Sequence, residues 1–495
     1  GMMMKNLLKR LSVKKFHQLL LCGKLSCREL TEYYLKRIDA YDRKGPCLNA
    51  LILLNQQALQ EADAIDDEIK KTGKLTGKLC GVPVILKDNV NTWDMETTAG
   101  SESLRGFTPD EDAFITKKLR AAGAIILAKS NLHEFAIWGE TISSMLGQTL
   151  NPYDLTRTPG GSSGGTGAAI AADMGMVGIG TDTINSVRSP SSACSLVGIR
   201  PTIGMVSRSG IVPYSLTQDT AGPICRTVED AAAVLEVISD YDNEDEETAW
   251  CADKKVDDYS CSELQLGLAG KNIGVLESFF GRQAEHLEVN AVIEKAVNIL
   301  QAAGANIIPV KEEIDSGWLT ADVSVHLYDL KDHLNQYLKK LPDRAPVHSL
   351  EEIIKSGKFH EGIRANLEQA MLHSIGTPDY NERLVLRGQV QTQLMKIFAD
   401  HDLDAIVYPH QQQLVCEVGG SQKERNGVLC SVTGFPSIVV PAGYSQSTRT
   451  APVGIPIGME IIGRPWSEKT LLSIAGIYEK KAAVMELPPF TPDFK

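Results

Sequence analysis

Two serines and a lysine stand out because each lies in a short segment bracketed by glycine or proline. Ser162 and Ser163 sit in Pro159-Gly160-Gly161-Ser162-Ser163-Gly164-Gly165. Ser186 sits in Gly180-Thr181-Asp182-Thr183-Ile184-Asn185-Ser186-Val187-Arg188, and Lys87 in Gly81-Val82-Pro83-Val84-Ile85-Leu86-Lys87-Asp88-Asn89. A serine hydroxyl is a weak nucleophile until a base takes its proton, and a neutral lysine can be that base in place of histidine. The set points to hydroxyl attack on an amide carbonyl.

Other chemistries are less well supported by the same residues. Gly160-Gly161-Ser162-Ser163-Gly164 matches the GxSxG nucleophile elbow, but that fold also needs an acid and a histidine downstream, and neither His326 nor His410 has a context that singles it out. His133-Glu134 lacks a second histidine four places on, since position 137 is isoleucine, which removes a zinc-protease reading. Gly175, Gly178 and Gly180 match neither a dinucleotide fingerprint nor a P-loop.

The elements that must position these residues are legible in outline. In residues 12–42 the apolar side chains recur at helical spacing, with Ser26 and Glu29 forming a capping box for a scaffold helix. From Gly77 onward short apolar runs alternate with helical patterns: a strand over 82–86, a helix over 112–122, a strand over 124–128, a small-residue helix over 168–173, a strand over 177–180 and a buried segment over 195–200. Further strands are expected at 405–408, 436–441 and 452–462, with a final helix over 469–482. The fold class is therefore α/β, one large domain over 1–495, with a central mixed, mostly parallel sheet covered by helices on both faces. Residues 77–235 form its core, and the helical region 286–400 is expected to roof the site. The acidic stretch 240–258 reads as a solvated excursion.

Composition narrows the partners. The chain has 495 residues and a formal charge of −12, which argues against direct contact with nucleic acid or an anionic membrane. No apolar run approaches the ~20 residues that a membrane helix needs, and the apolar run at 19–22 is too short for a signal-peptide core. Gly1 ahead of a methionine reads as an expression scar. The ten cysteines form no CxxC pair and do not cluster with histidines at zinc spacing, so reduced thiols in a cytoplasmic protein are expected, with no metal and no cofactor.

In that order, the GVPVILKDN, PGGSSGG and GTDTINSVRSP segments resemble the amidase signature family, and the resemblance extends over most of the chain. It implies an amidohydrolase with Ser186 as the acylated nucleophile, a cis-configured Ser162 as proton relay and Lys87 as base. A working lysine base must be neutral; lowering an amine from ~10.4 to near 7 costs roughly 4 kcal/mol, within what burial supplies. The resemblance also implies an oxyanion hole from the backbone N–H groups of Thr183, Ile184, Asn185 and Ser186, each worth on the order of 3 kcal/mol. Here the chain departs from the family, which usually has two glycines where Ile184 and Asn185 stand. β-Branched Ile184 is therefore expected to keep a negative φ and to narrow the acyl side of the pocket.

For each residue a plainer role is also open. Lys87 could be a strand-end lysine paired with Asp88 at the surface, and Ser162 a turn serine. Ser163 could serve only to hold the glycine loop. Asp182 is read as accepting backbone or serine hydrogen bonds, and Arg188 as anchoring the turn through a buried pair. The family includes broad amidases, peptide C-terminal amidases, fatty acid amide hydrolases and the glutaminase subunit of tRNA-dependent amidotransferases. The helical stretch 327–338 resembles the roof helix of peptide-amidase-like members, so the expected substrate is a small-molecule or peptide amide. The alternative is a glutaminase subunit that works with a partner. Monomer and homodimer are both left open.

Overall fold

The apolar run ending at Lys87 has no polar face, and in the computed structural model, which describes residues 2–254, 258–259 and 267–495, it forms a strand buried along its whole length. The described strands are β1 (Leu51–Leu54), β2 (Pro83–Lys87), β3 (Ile125–Ser130), β4 (Ile142–Ser143), β5 (Gly147–Gln148), β6 (Val177–Asp182) and β7 (Val197–Arg200). They continue with β8 (Thr220–Cys225), β9 (Asn272–Leu276), β10 (Asn306–Val310), β11 (Ala405–Pro409), β12 (Ser437–Tyr444) and β13 (Pro456–Ile462). Eleven of them form one sheet in the order β1-β3-β2-β6-β8-β7-β12-β13-β11-β9-β10, and β4 pairs with β5 apart from it.

Helices cover both faces of this mixed sheet. All residues of β2, β3, β6, β7, β8, β11 and β13 are buried, which requires a layer on each side. Parallel pairing is confined to the blocks β3-β2-β6 and β11-β9-β10, and the other neighbours are antiparallel. The parallel share is thus smaller than βα alternation suggests, because β7 and β8, and β12 and β13, are joined without a crossover helix.

At the N-terminus the expected single helix is two, Val13–Leu21 and Cys27–Ile38, broken at Gly23 with φ 76°. The second starts at the capping box of Ser26 and Glu29. The small-residue helix runs over Gly164–Ala171 and lies close against β6: a Cβ on Gly180 would fall 2.7 Å from Ser163 Oγ, so only glycine fits. Helix Leu287–Ala302 and β10 belong to the sheet layers rather than to a roof. The roof starts near Asp315 and includes His326–Lys339, Leu350–Ser356 and Arg364–Met371, whose leucines and isoleucines pack on Phe135, Ile137, Val212 and Tyr214.

The described part of the acidic stretch is not wholly solvated. Asp242 is buried and accepts from Ser207 Oγ at 2.6 Å, and Asp245 pairs with Arg208 at 2.6 Å, whereas Trp250 is exposed. Gly1, residues 255–257 and Cys261 lie outside the described residues. Six of the other cysteines are buried, while Cys22 and Cys47 are exposed and Cys416 is intermediate. No helix among the described residues is long and apolar enough to cross a membrane.

Candidate active site

Strands β2 and β6 run parallel and adjacent, so both end at the same edge of the sheet, β2 with Lys87 and β6 with the turn that carries Ser186. Lys87 is fully buried, with Nζ 2.7 Å from Ser162 Oγ, 2.8 Å from Thr181 Oγ1 and 3.4 Å from the Thr181 carbonyl. Burial lowers its pKa to about 7, with Asp182 and Asp219 acting in the opposite direction. Asp88 is not its partner: that carboxylate is buried and pairs with Lys129 Nζ at 3.2 Å. The surface-lysine reading is overturned.

The glycine loop is held from several sides. The Gly161–Ser162 peptide is cis. The His133 N–H donates to the Ser162 carbonyl at 3.1 Å, and Thr141 Oγ1 donates to the Gly160 carbonyl at 2.7 Å. Ser163 Oγ donates to the Thr181 carbonyl at 3.1 Å and accepts from the Thr181 N–H at 3.2 Å, which ties the loop to β6. Ser163→Ala should therefore lower stability by about 1–3 kcal/mol, because the buried Thr181 N–H loses its acceptor and the Thr181 carbonyl keeps only Lys87 Nζ, measured by urea unfolding. A change well under that range would leave Ser163 no structural role.

Ser186 lines a cavity of about 580 Å³ beside Ile184 and Asn185. No hydrogen bond joins its hydroxyl to Ser162; the two segments meet where the Ser163 N–H donates to the Ser186 carbonyl at 3.3 Å. The N–H groups of Thr183, Ile184, Asn185 and Ser186 have no acceptor among the described residues. They remain available to a developing negative charge at the cavity edge. Ile184 and Asn185 are both absent from the residues with positive φ, as expected for a β-branched residue in this turn.

Behind the turn is a fully buried charge network. Arg188 donates to Asp182 through Nε and a terminal nitrogen at 3.0 Å each, to Glu460 at 2.7 Å, and to the carbonyls of Ile184 at 2.6 Å and Gly427 at 2.8 Å. Arg200 donates to Asp182 Oδ1 at 2.9 Å, and the Val187 N–H to Asp182 Oδ2 at 3.0 Å. Asp182 thus accepts from backbone and arginines, with no serine among its partners. Burial alone would raise the Asp182 and Glu460 pKa values; the arginines outweigh it, holding Asp182 well below the usual range and Glu460 at about 2. Tyr408 at 2.9 Å and His410 at 2.7 Å also bond Glu460.

The far wall of the cavity comes from Asp315, Thr320, His326 and Asn366 of the roof and from Gln422 and Arg425 of a distant loop. Ala136, at φ 61°, and Trp138, at φ 69°, form another wall in left-handed backbone, a conformation disfavoured for residues with a Cβ. Among the described residues, one group has metal-ligand residue types: Glu285, His286 and Glu424. His286 Nδ1 accepts from the Gln283 N–H at 3.1 Å, so the ring proton of neutral His286 is on Nε2, facing Glu424. That leaves neutral His286 no lone pair to offer an ion.

The amidase family model matches residues 29–472. This chain belongs to the amidase family. It is 33% identical to the A-type subunit of the glutamyl-tRNA(Gln) amidotransferase of Acinetobacter baumannii, over 97% of this chain and 99% of that protein. Among solved structures it is similar to the native peptide amidase of Stenotrophomonas maltophilia, with TM-score 0.86 and 36% identity over 97% of this chain and 98% of that one. The corresponding amidotransferase chain of Thermotoga maritima aligns with TM-score 0.75 and 27% identity, over 99% of each chain. The protein is an enzyme of amide C–N bonds, an amidohydrolase.

Several residues of the amidase site escaped the sequence reading. Thr181 is legible only as part of the GTDTINSVRSP segment, with no role of its own, yet its hydroxyl meets Lys87 Nζ and accepts from Asn89 Nδ2 at 3.0 Å. Asp219 accepts from Thr183 Oγ1 at 2.6 Å and from the N–H groups of Tyr214 and Ser215. Glu460 lies inside a strand of otherwise apolar type, where a lone glutamate was the available signal of a buried cation.

Proposed function

We propose that this amidase cleaves carboxylic amides, peptide C-terminal amides included, to the acid and ammonia or amine through an acyl-enzyme on Ser186. The observation that carries the reading is the buried Lys87 against Ser162. When Lys87 is neutral, its two N–H groups can serve Thr181 Oγ1 and the Thr181 carbonyl, and the lone pair then faces the Ser162 hydroxyl. Ser186 Oγ attacks the amide carbon; its proton passes to Ser162 Oγ as the Ser162 proton passes to Lys87 Nζ. The carbonyl π electrons move onto oxygen, which the N–H groups of Thr183, Ile184, Asn185 and Ser186 receive. Collapse breaks the C–N bond, and the Lys87 proton returns through Ser162 to the leaving nitrogen. Water then repeats the sequence on the ester, regenerating Ser186 and releasing the acid.

A peptide-amide substrate is favoured over glutamine by the closer backbone match to the peptide amidase than to the T. maritima amidotransferase chain, TM-scores 0.86 and 0.75. The full-length identity to the A. baumannii amidotransferase chain supports the second reading, a glutaminase that needs a partner protein. Ammonia release by the isolated chain separates them: hydrolysis of N-acyl amino acid amides at rates above those for glutamine supports the first, and activity on glutamine alone, dependent on a partner, supports the second. With mostly buried thiols, and with relatives of both kinds, a cytoplasmic enzyme acting alone is the reading adopted.

Ile184 lines the cavity and packs against the Val428 cluster. On this reading Ile184→Gly should change the ranking of short, branched and aromatic acyl groups, read as relative kcat/KM. It should also lower all rates several-fold by loosening the oxyanion turn. An unchanged ranking would remove Ile184 from acyl selection.

A further inference from the structure

One amide side chain connects the oxyanion turn to the roof and determines which nitrogen of a cavity histidine carries a proton. Gln218 is buried, with Nε2 3.3 Å from the Thr183 carbonyl and Oε1 2.9 Å from the Val325 N–H. The carbonyl can only accept and the backbone N–H can only donate, so the Gln218 orientation follows from its partners. Ser324 Oγ lies 3.1 Å from the same Oε1 and 2.6 Å from His326 Nδ1. If the Ser324 proton pointed at His326, the two oxygens would face each other lone pair to lone pair. The proton therefore goes to Gln218 Oε1, Ser324 Oγ accepts, and His326 Nδ1 carries the ring proton.

A neutral imidazole with its proton on Nδ1 has a bare lone pair on Nε2. His326 makes its hydrogen bond through Nδ1 and lines the same cavity as Ser186. Its ring stands edge-on to Tyr214, with centroids 5.7 Å apart and an interplanar angle of 61°. Burial first, and Arg383 second, lower its pKa to about 4, so the neutral form prevails at ordinary pH. The cavity wall thus carries an acceptor that no protein group uses among the described residues.

We infer that His326 Nε2 is a fixed hydrogen-bond acceptor that selects substrates with an acylated N–H beside the scissile amide, as in an N-acyl amino acid amide. The inference rests on the amide-hydrolysis reading above. A polar group built to receive an N–H discriminates against an analogue that presents a lone pair in its place, because the mismatch leaves both sides unsatisfied.

The test compares N-acetyl-leucinamide with its depsi analogue, in which oxygen replaces the acylated nitrogen. Wild type should favour the first by about tenfold or more in kcat/KM. His326→Leu should erase most of that preference, lowering the rate on N-acetyl-leucinamide far more than the rate on the depsi analogue, and His326→Gln, which retains an acceptor, should recover part of it. Ser324→Ala, which frees the ring proton without altering the ring, should narrow the preference and serves if His326→Leu does not fold. Equal losses on both substrates, or an unchanged preference in Ser324→Ala, overturn the inference alone. No hydrolysis of either substrate by wild type overturns the peptide-amide reading and this inference with it.

Discussion

Lys87→Ala is expected to lower kcat/KM by about 10⁴-fold and to remove the rise in activity with pH near 7. The base works only as a free amine. With burial holding Lys87 at about 7, the fraction of working enzyme rises through that pH and levels above it. The variant has no such group, so its residual rate should lack that limb. Ser186→Ala should be at least as impaired in kcat and should lose covalent labelling by a fluorophosphonate, which Lys87→Ala should only slow. A Lys87→Ala enzyme with the wild-type pH profile would rule out the lysine as base.

The same lowered pKa affects stability. The folded pKa is below the unfolded one, so between about pH 7 and 10.5 the unfolded chain binds a proton that the native chain does not. Stability at this site therefore rises with pH across that window and is lowest below it. Lys87→Met should flatten the urea-unfolding profile there by up to about 1.4 kcal/mol per pH unit. An unchanged slope would mean that Lys87 is charged in the fold.

Arg188→Met should destabilise the fold by about 3–5 kcal/mol at pH 7. Its guanidinium is fully buried and bonds two carboxylates and two carbonyls, so removal leaves charges that no solvent reaches. Asp182 keeps Arg200 and the Val187 N–H, and Glu460 keeps Tyr408 and His410, whose ring accepts or donates according to its proton. Glu460 loses the most. In wild type its folded pKa of about 2 is depressed, so its contribution is present above the usual glutamate pKa and lost as pH falls toward 2. In the variant its folded pKa should rise above the unfolded value, so that the deficit relative to wild type narrows on acidification. Arg188→Met with Glu460→Gln should recover part of the loss. A single-variant loss below about 1 kcal/mol would refute the network's role. Since total stabilities are about 5–15 kcal/mol, thermal unfolding should show the loss directly.

The turn over Thr183 to Ser186 shows where local sequence suffices and where it does not. A negative φ at Ile184 follows from a β-branched side chain, whatever surrounds it. What holds the Ile184 carbonyl does not: Arg188 is four residues away, but Ser431, which also donates to that carbonyl, comes from a segment beyond the roof. A reading of residues 180–190 could assign Arg188 a buried partner. It could not choose Glu460, because that choice depends on β7, β12 and β13 lying next to one another in the sheet. Most strands of the sheet were visible as apolar runs, with ends displaced by a few residues, but β1 and β8 were not, and β10 lies in a stretch that reads as helical roof. Their mixed pairing was not visible, since an apolar run reads the same in either direction.

The sequence by itself determined the family: three glycine- or proline-bracketed segments, in order, containing Lys87, Ser162 and Ser186. Local steric requirements at tight turns and close strand-to-helix contacts leave a record in residue type, and such a record survives without knowledge of the partners. The tertiary structure alone decided what makes those groups usable. It buries Lys87 completely, seats its amine between Ser162 and Thr181, sends Asp88 to Lys129, and brings Glu460 to Arg188. It also assigns the His326 proton through Gln218 and Ser324. Each of these is an electrostatic or hydrogen-bonding relation between residues far apart in the chain, and its strength depends on distance and exclusion of water, which only the packed fold supplies.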